Sequence, residues 1–195
     1  MILDASSDAD VHMVTDRFEV GMYGEAPGII SDSGWPIARD HWLSSTGFNH
    51  PDAGDTAIRS SWLKKSMAIS LAERGAHFHT GTRTVEESTD GKEVTLSYPG
   101  GKTMTRISFD YIVAANQLSD RVWRGAVTTK RPSGEYITGR RPDSTYEVWW
   151  EGGVQPQNPL QLMEWEGEDP REALRDAATL AASKLSNIMK QGLLT

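Results

Sequence analysis

From Ala57 to Ser119 the apolar pattern changes period several times, and that succession constrains the fold more than any single residue does. Ile58, Trp62, Leu63, Met67, Ile69 and Leu71 recur at helical spacing and predict an amphipathic helix. Asp55 or Thr56 is placed to cap it, and Arg74-Gly75 closes it. Ala76-His77-Phe78-His79-Thr80 follows as a strand. Residues 84–88 and 93–98 flank Asp90-Gly91, a hairpin turn, and Pro99-Gly100-Gly101 turns the chain into a third strand at 103–108. Asp110-Tyr111-Ile112-Val113-Ala114-Ala115 is apolar enough for a central strand buried on both faces. Helix alternating with buried strand is the pattern of an α/β fold.

The flanks are read more coarsely. The first residues form the end of a short helix, and Val11-His12-Met13-Val14-Thr15 is expected as a buried strand. Between Gly21 and Gly54, glycine and proline recur among Ser, Asp and Trp, which predicts a long irregular segment of the functional or disordered kind. Its Tyr23, Ile29, Ile30, Trp35, Trp42 and Phe48 are expected to pack on something. Beyond Arg124, turns fall at Arg131-Pro132-Ser133-Gly134 and Arg141-Pro142-Asp143, and strands at 146–150 and 160–165. A last helix starts at Asp169-Pro170-Arg171-Glu172 and carries the stripe Leu174, Ala178, Ala181 or Ala182, Leu185 and Ile188.

Composition excludes several function classes. A net charge of −7 and a pI near 5.2 leave no basic stripe for nucleic acid. With no cysteine, disulfides, cysteine-based zinc sites and thiol catalysis are ruled out, and a reducing cytoplasm is the simple expectation. No window approaches the roughly 18 apolar residues of a transmembrane helix. At 195 residues the chain suits one domain, or one and a small partner.

The order of the elements resembles the FAD-dependent oxidoreductases and monooxygenases of aromatic-hydroxylase, geranylgeranyl-reductase and lycopene-cyclase type, over about residues 8–124. The matching stretches are Asp16-Arg17 after the first strand, Ala57-Ile58-Arg59-Ser60-Ser61-Trp62-Leu63 at the helix head, and Leu71 to Thr82 through its end. A further match is Ala114-Ala115-Asn116-Gln117-Leu118-Ser119, where the family has an Ala-Asp-Gly-x-x-Ser turn. The resemblance implies a partial Rossmann-like FAD/NAD(P)-binding fold with a β-meander and a small mixed β region. Residues 1–124 would be the FAD-binding-like domain, and 125–195 a small β region plus a C-terminal helix. By the same resemblance Asp16, with Arg17 beside it, holds the adenosine ribose, and Arg59 contacts the pyrophosphate or ribose. Arg83-Thr84-Val85 brings backbone near the adenine, and Ala114, Ala115 and Asn116 form the turn after the last strand. The chain departs from the pattern in three places. No Gly-x-Gly-x-x-Gly precedes Val11, no clear Gly-Asp motif follows in the last third, and the C-terminal region is short for a substrate domain. The chain thus starts where the glycine turn should already have ended. A fragment, a partner chain or second copy supplying the missing strand, and a scaffold that has lost FAD all remain open. The implied activity is FAD-dependent oxidation of an apolar or aromatic small molecule, with no acid or base assigned. The alternative is a non-catalytic binding protein on the same scaffold.

Two other constellations stand outside the resemblance. His77 and His79 lie two apart on a strand and share a face. A metal would need a third ligand from His12, His41, His50 or an acid, so the expectation is ordinary histidines and no metal. Trp149-Trp150, with Trp165, Tyr146, Glu147, Glu151 and Glu164, outlines an aromatic, acidic cleft of the kind that binds sugars, cations or flat rings. In the family picture these strands belong to a reduced substrate sheet, which makes Trp149 a candidate substrate contact, and the Gly24–Trp42 loop brings Trp35 toward the flavin or substrate. The competing expectation for these tryptophans is plain sheet packing.

Overall fold

Among the described residues, strand pairing gives a two-stranded, a three-stranded and a four-stranded sheet. The computed structural model describes residues 2–6, 8–17, 25–30, 52, 54–88, 92–100, 104–113 and 119–191. Trp35, Trp42, His41, His50, Asp90-Gly91, Ala114, Ala115 and Asn116 lie outside them.

A short helix α1 (Ile2–Ala5) precedes β1 (His12–Val14), which pairs in parallel with β2 (His77–His79). Parallel strands need a long crossover, and this one contains α2 (Ser60–Glu73). The expectation of a buried first strand is corrected: Met13 and Val14 are 38% and 39% exposed. The same holds for the expected central strand, since Ile112 and Val113 are exposed and residues 110–113 form no strand. The physical reason is common to both. Burial on two faces needs flanking strands, and β1 and β2 have only each other among the described residues. The architecture is therefore mixed α/β and dominated by antiparallel sheets.

Helix α2 departs from its expected form. Arg59 is its N-cap residue, in extended conformation (φ −64°, ψ 116°) with no side-chain cap, so neither Asp55 nor Thr56 caps it. Thr56 and Ala57 instead donate their N–H groups to the Arg140 carbonyl at 2.8 and 2.9 Å. The buried face carries Ser60, Ser61, Leu63, Ser66 and Ser70, while Met67 and Ile69 are exposed. Ser66 satisfies its hydroxyl on the Leu63 carbonyl at 2.8 Å, which allows burial of an otherwise costly group. Gly75 ends the helix at φ +92°, as its sequence position predicts.

β3 (Arg83–Glu87), β4 (Glu93–Ser97) and β5 (Met104–Ser108) form the expected meander, with Val94 and Leu96 buried. Thr84 pairs with Leu96 and Glu86 with Thr95, so Val85 is the extra residue of a bulge.

The main core lies in the four-stranded antiparallel sheet, ordered β7-β8-β6-β9. Its strands are β6 (Val122–Thr128), β7 (Ile137–Arg140), β8 (Tyr146–Trp150) and β9 (Gln161–Glu166). Sequence pattern finds β8 and β9 but misses β6 and β7, because Arg124, Gly125 and Gly139 interrupt the apolar alternation. One face buries Trp123, Val127, Ile137, Trp149 and Met163 together with Ile29 and Ala57 from the N-terminal half. The other buries Ala126, Val148 and Trp150 against Tyr136 and Tyr146. Gly125 sits opposite Trp149, and a Cβ there would lie 2.6 Å from the indole, so only glycine leaves room for that ring. Helix α3 (Ala173–Lys190) starts later than Asp169-Pro170 predicts and buries only Ile188 among its residues.

Candidate functional site

Two glycines let the N-terminal half approach the large sheet closely. A Cβ at Gly28 would lie 1.7 Å from the Ile58 carbonyl oxygen, and one at Gly139 would lie 2.6 Å from the Ala57 Cβ. Residues 25–30 thereby run between the head of α2 and the β7–β8 hairpin, and charged groups gather along that seam.

At its centre is Glu147, 0% exposed on β8. Its Oε2 accepts from Arg141 Nε at 3.0 Å and Nη2 at 2.6 Å. Its Oε1 accepts from Trp149 Nε1 and from the Gly28 N–H, both at 2.7 Å. A buried carboxylate is tolerable only when its lone pairs are filled in this way. The hairpin turn that aims Arg141 is built by Asp143, whose Oδ1 accepts from Thr145 N at 3.0 Å and Oγ1 at 2.6 Å, with Ser144 at φ +64°.

Next along the seam, Glu25 fills the start of α2. Ser61 donates its hydroxyl (2.6 Å) and N–H (3.3 Å), and Ser60 its hydroxyl (3.2 Å). Arg59 Nη2 stands 3.6 Å from Glu25 Oε1. Burial pushes the Glu25 carboxyl up, but the Ser61 bonds and the charges of Arg141 and Arg59 outweigh it, and the net shift is downward. The Arg59 guanidinium lies 4.7 Å over the Trp62 ring, and its Nε is buried with no hydrogen-bond partner.

The expected site residues are distributed as follows. Asp16 and Arg17 follow β1, paired with each other at 3.5 Å and more than half exposed. The backbone of Gly81 donates to the Arg17 carbonyl at 2.7 Å and that of Thr82 to Thr15 at 2.8 Å, which holds this turn beside the start of β3 and so near Val85. Arg59 belongs to the seam instead. Trp149 is fully buried, yet it backs an open pocket of about 320 Å³ shared with Trp123, Tyr136, Trp150, Glu135 and Glu151. The Trp150 Nε1 there is buried without a partner. Tyr146, Glu147, Glu164 and Trp165, expected in this cleft, do not line it. Glu25, Gly28, Ser60, Ser61 and Arg141 escape sequence reasoning as site residues, and Glu147 is expected in the cleft instead of the seam, because charged and small residues beside turns look the same whether exposed or buried. The one available signal is Arg141 and Glu147 flanking a turn at hairpin spacing.

Whether this chain suits a phosphate-bearing cofactor can be tested at Arg59. A buried guanidinium N–H without an acceptor, at a helix start, has the chemistry to take a phosphate oxygen. The Ser60 and Ser61 donors beside it are already taken by Glu25. The residues therefore fit an anionic group on Arg59 and leave it no second set of helix donors at Ser60 and Ser61.

No protein-family model matches the chain, and no curated protein matches it. Among solved structures, CabE, an aromatic hydroxylase from angucycline biosynthesis, matches with a TM-score of 0.51 at 11% identity, over 82% of this chain and 48% of CabE. BexE, studied for oxidation during BE-7585A biosynthesis, matches with a TM-score of 0.47 at 14% identity, over 82% and 48%. The chain spans about half the length of these structures. Its fold is similar to part of the CabE hydroxylase fold.

Proposed function

We propose that the chain is an FAD-dependent oxidoreductase or monooxygenase-like protein, or a part of one, acting on an apolar or aromatic small molecule. The observation that carries this reading is Arg59: it heads the helix of a strand–helix–parallel strand unit and keeps a buried N–H without an acceptor. The fold similarity to an aromatic hydroxylase supports it. FAD, when bound, supplies the redox chemistry. In this reading Arg59 holds a phosphate oxygen, Asp16 and Arg17 the ribose side, and the bulge at Val85 offers backbone to the adenine. Ala114, Ala115 and Asn116 are assigned to the cofactor site, and Trp35 and Trp149 to the substrate side. The cofactor part is assigned to residues 1–124 and the small β region with its helix to 125–195, a boundary that falls inside β6, and Ile29 and Ala57 of the first part share the core of the second. A cytoplasmic location and a partner chain or second copy completing the sheet belong to the same proposal. Among the described residues no helix is long and apolar enough to cross a membrane.

Titration with FAD, followed by tryptophan quenching and by flavin retained through gel filtration, tests the reading. Arg59→Ala should weaken binding roughly 10–100-fold, the worth of a charge-assisted hydrogen bond. Unchanged affinity would remove Arg59 from the site. One observation favours a second reading, a binding protein without cofactor: Glu25 already supplies the anion at the α2 start. Wild-type protein that takes up no FAD, while Glu25→Gln also takes up none, would exclude a flavin site formed by this chain alone.

A further inference from the structure

The parallel register of β1 and β2 sets His12 opposite His77. Spacing alone gives two histidines on one face; register adds the third and brings Asp10 with it. Asp10 Oδ1 stands 3.2 Å from His12 Nε2 and 3.5 Å from His77 Nε2. The donors of these three residues all lie within 4.8 Å of one another. Around a tetrahedral zinc ion with legs of roughly 2.0–2.2 Å, neighbouring donors are about 3.3–3.5 Å apart. Two of the three separations therefore stand close to ligand spacing, and the exposed side chains need only small rotations to set the third.

The surroundings of His12 carry the argument further. Its other nitrogen, Nδ1, lies 2.9 Å from His79 Nε2, and His79 Nδ1 lies 2.9 Å from the Tyr98 hydroxyl. The His12 and His79 rings stack at 5.2 Å, which fixes the plane of the first. With Nε2 on a metal, His12 Nδ1–H donates to His79, and His79 Nδ1–H donates to Tyr98. Metal-bound histidines are oriented by this kind of outer hydrogen bond.

We propose that Asp10, His12 and His77 bind one divalent metal ion of the zinc class, with His79 and Tyr98 as positioning residues. Two imidazoles and a carboxylate make a borderline-soft donor set with a fourth position left to water or another ligand. Such an ion would link β1 to β2 across a sheet of two three-residue strands.

The test uses the full, untagged chain, stripped with a chelator and titrated calorimetrically with zinc chloride. One equivalent should bind. Asp10→Asn and His77→Gln should each weaken binding at least tenfold; both side chains are more than half exposed, so neither change threatens folding. Tyr98→Phe should weaken it about tenfold through the outer hydrogen bond, and His41→Gln and His50→Gln should leave it unchanged. No zinc uptake by the wild type, or uptake indifferent to Asp10→Asn and His77→Gln, overturns the site. So does uptake abolished by His41→Gln or His50→Gln. Indifference to Tyr98→Phe overturns the positioning role alone.

Discussion

The four-stranded sheet and the two-stranded sheet solve the problem of polar residues in opposite ways. The larger sheet buries an arginine and a glutamate and fills their bonding capacity from the hairpin, from β8 and from residue 28. The smaller one keeps Asp10, His12 and His77 on its surface, joined by contacts of 3.2 and 3.5 Å. Buried charge is costly to disturb because a partner is left stranded in low dielectric. Exposed charge is cheap to disturb and so remains free to serve a ligand. In this molecule solvent access, more than residue type, separates the polar groups closed inside the sheet from those open to a ligand.

The sharpest way to break that contrast is Glu147→Ala. It strands Arg141, which is 1% exposed, and should cost about 3–5 kcal/mol, read as a lowered urea midpoint. A cost below about 1 kcal/mol would mean the buried pair is not the joint of the sheet. A middle effect is expected at Glu25, through pH. Its folded pKa lies below the ordinary value of 4.5, so the folded state binds protons less readily than the unfolded chain. The resulting stability is present above that value and fades as pH falls through the lowered pKa. Glu25→Gln should flatten the acid side of the melting-temperature profile, and an unchanged profile would exclude Glu25. The smallest effect belongs to β1. Met13→Thr, at a position 38% exposed, should shift stability by no more than about 0.5 kcal/mol in the same urea assay. A larger loss would show β1 to be covered in solution.

The sequence made local elements legible wherever pattern and punctuation agreed. Gly75 as a helix stop, the meander at 83–108 and the strand at 146–150 are of this kind. It misjudged burial where neighbours decide it: Met13, Val14, Ile112 and Val113 look like core and are exposed. Helix α2 shows the reverse error, since Met67 and Ile69 look like its inner face and Ser66 and Ser70 occupy it. Of the site, the order of elements singles out Arg59 as a phosphate contact, and the structure sets it beside Glu25 at 3.6 Å. Glu25 was not legible, because its partners Ser60 and Ser61 lie 35 and 36 residues away along the chain. The histidine cluster was half legible, as His77 and His79 share a strand while His12 joins them only through parallel pairing.

The bonds to Glu147 also order events during synthesis. Trp149 and Arg141 are two and six residues away along the chain, whereas Gly28 is 119 away. The hairpin pair closes a short loop and can form as soon as β8 is made, while the Gly28 bond closes a long one. Residues 25–30 leave the ribosome well before the surface they dock on, which is translated more than a hundred residues later. Until then the head of α2, with its serines and Arg59, has no sheet to settle against. The segment around Gly28 is made before its docking surface and can settle only after it.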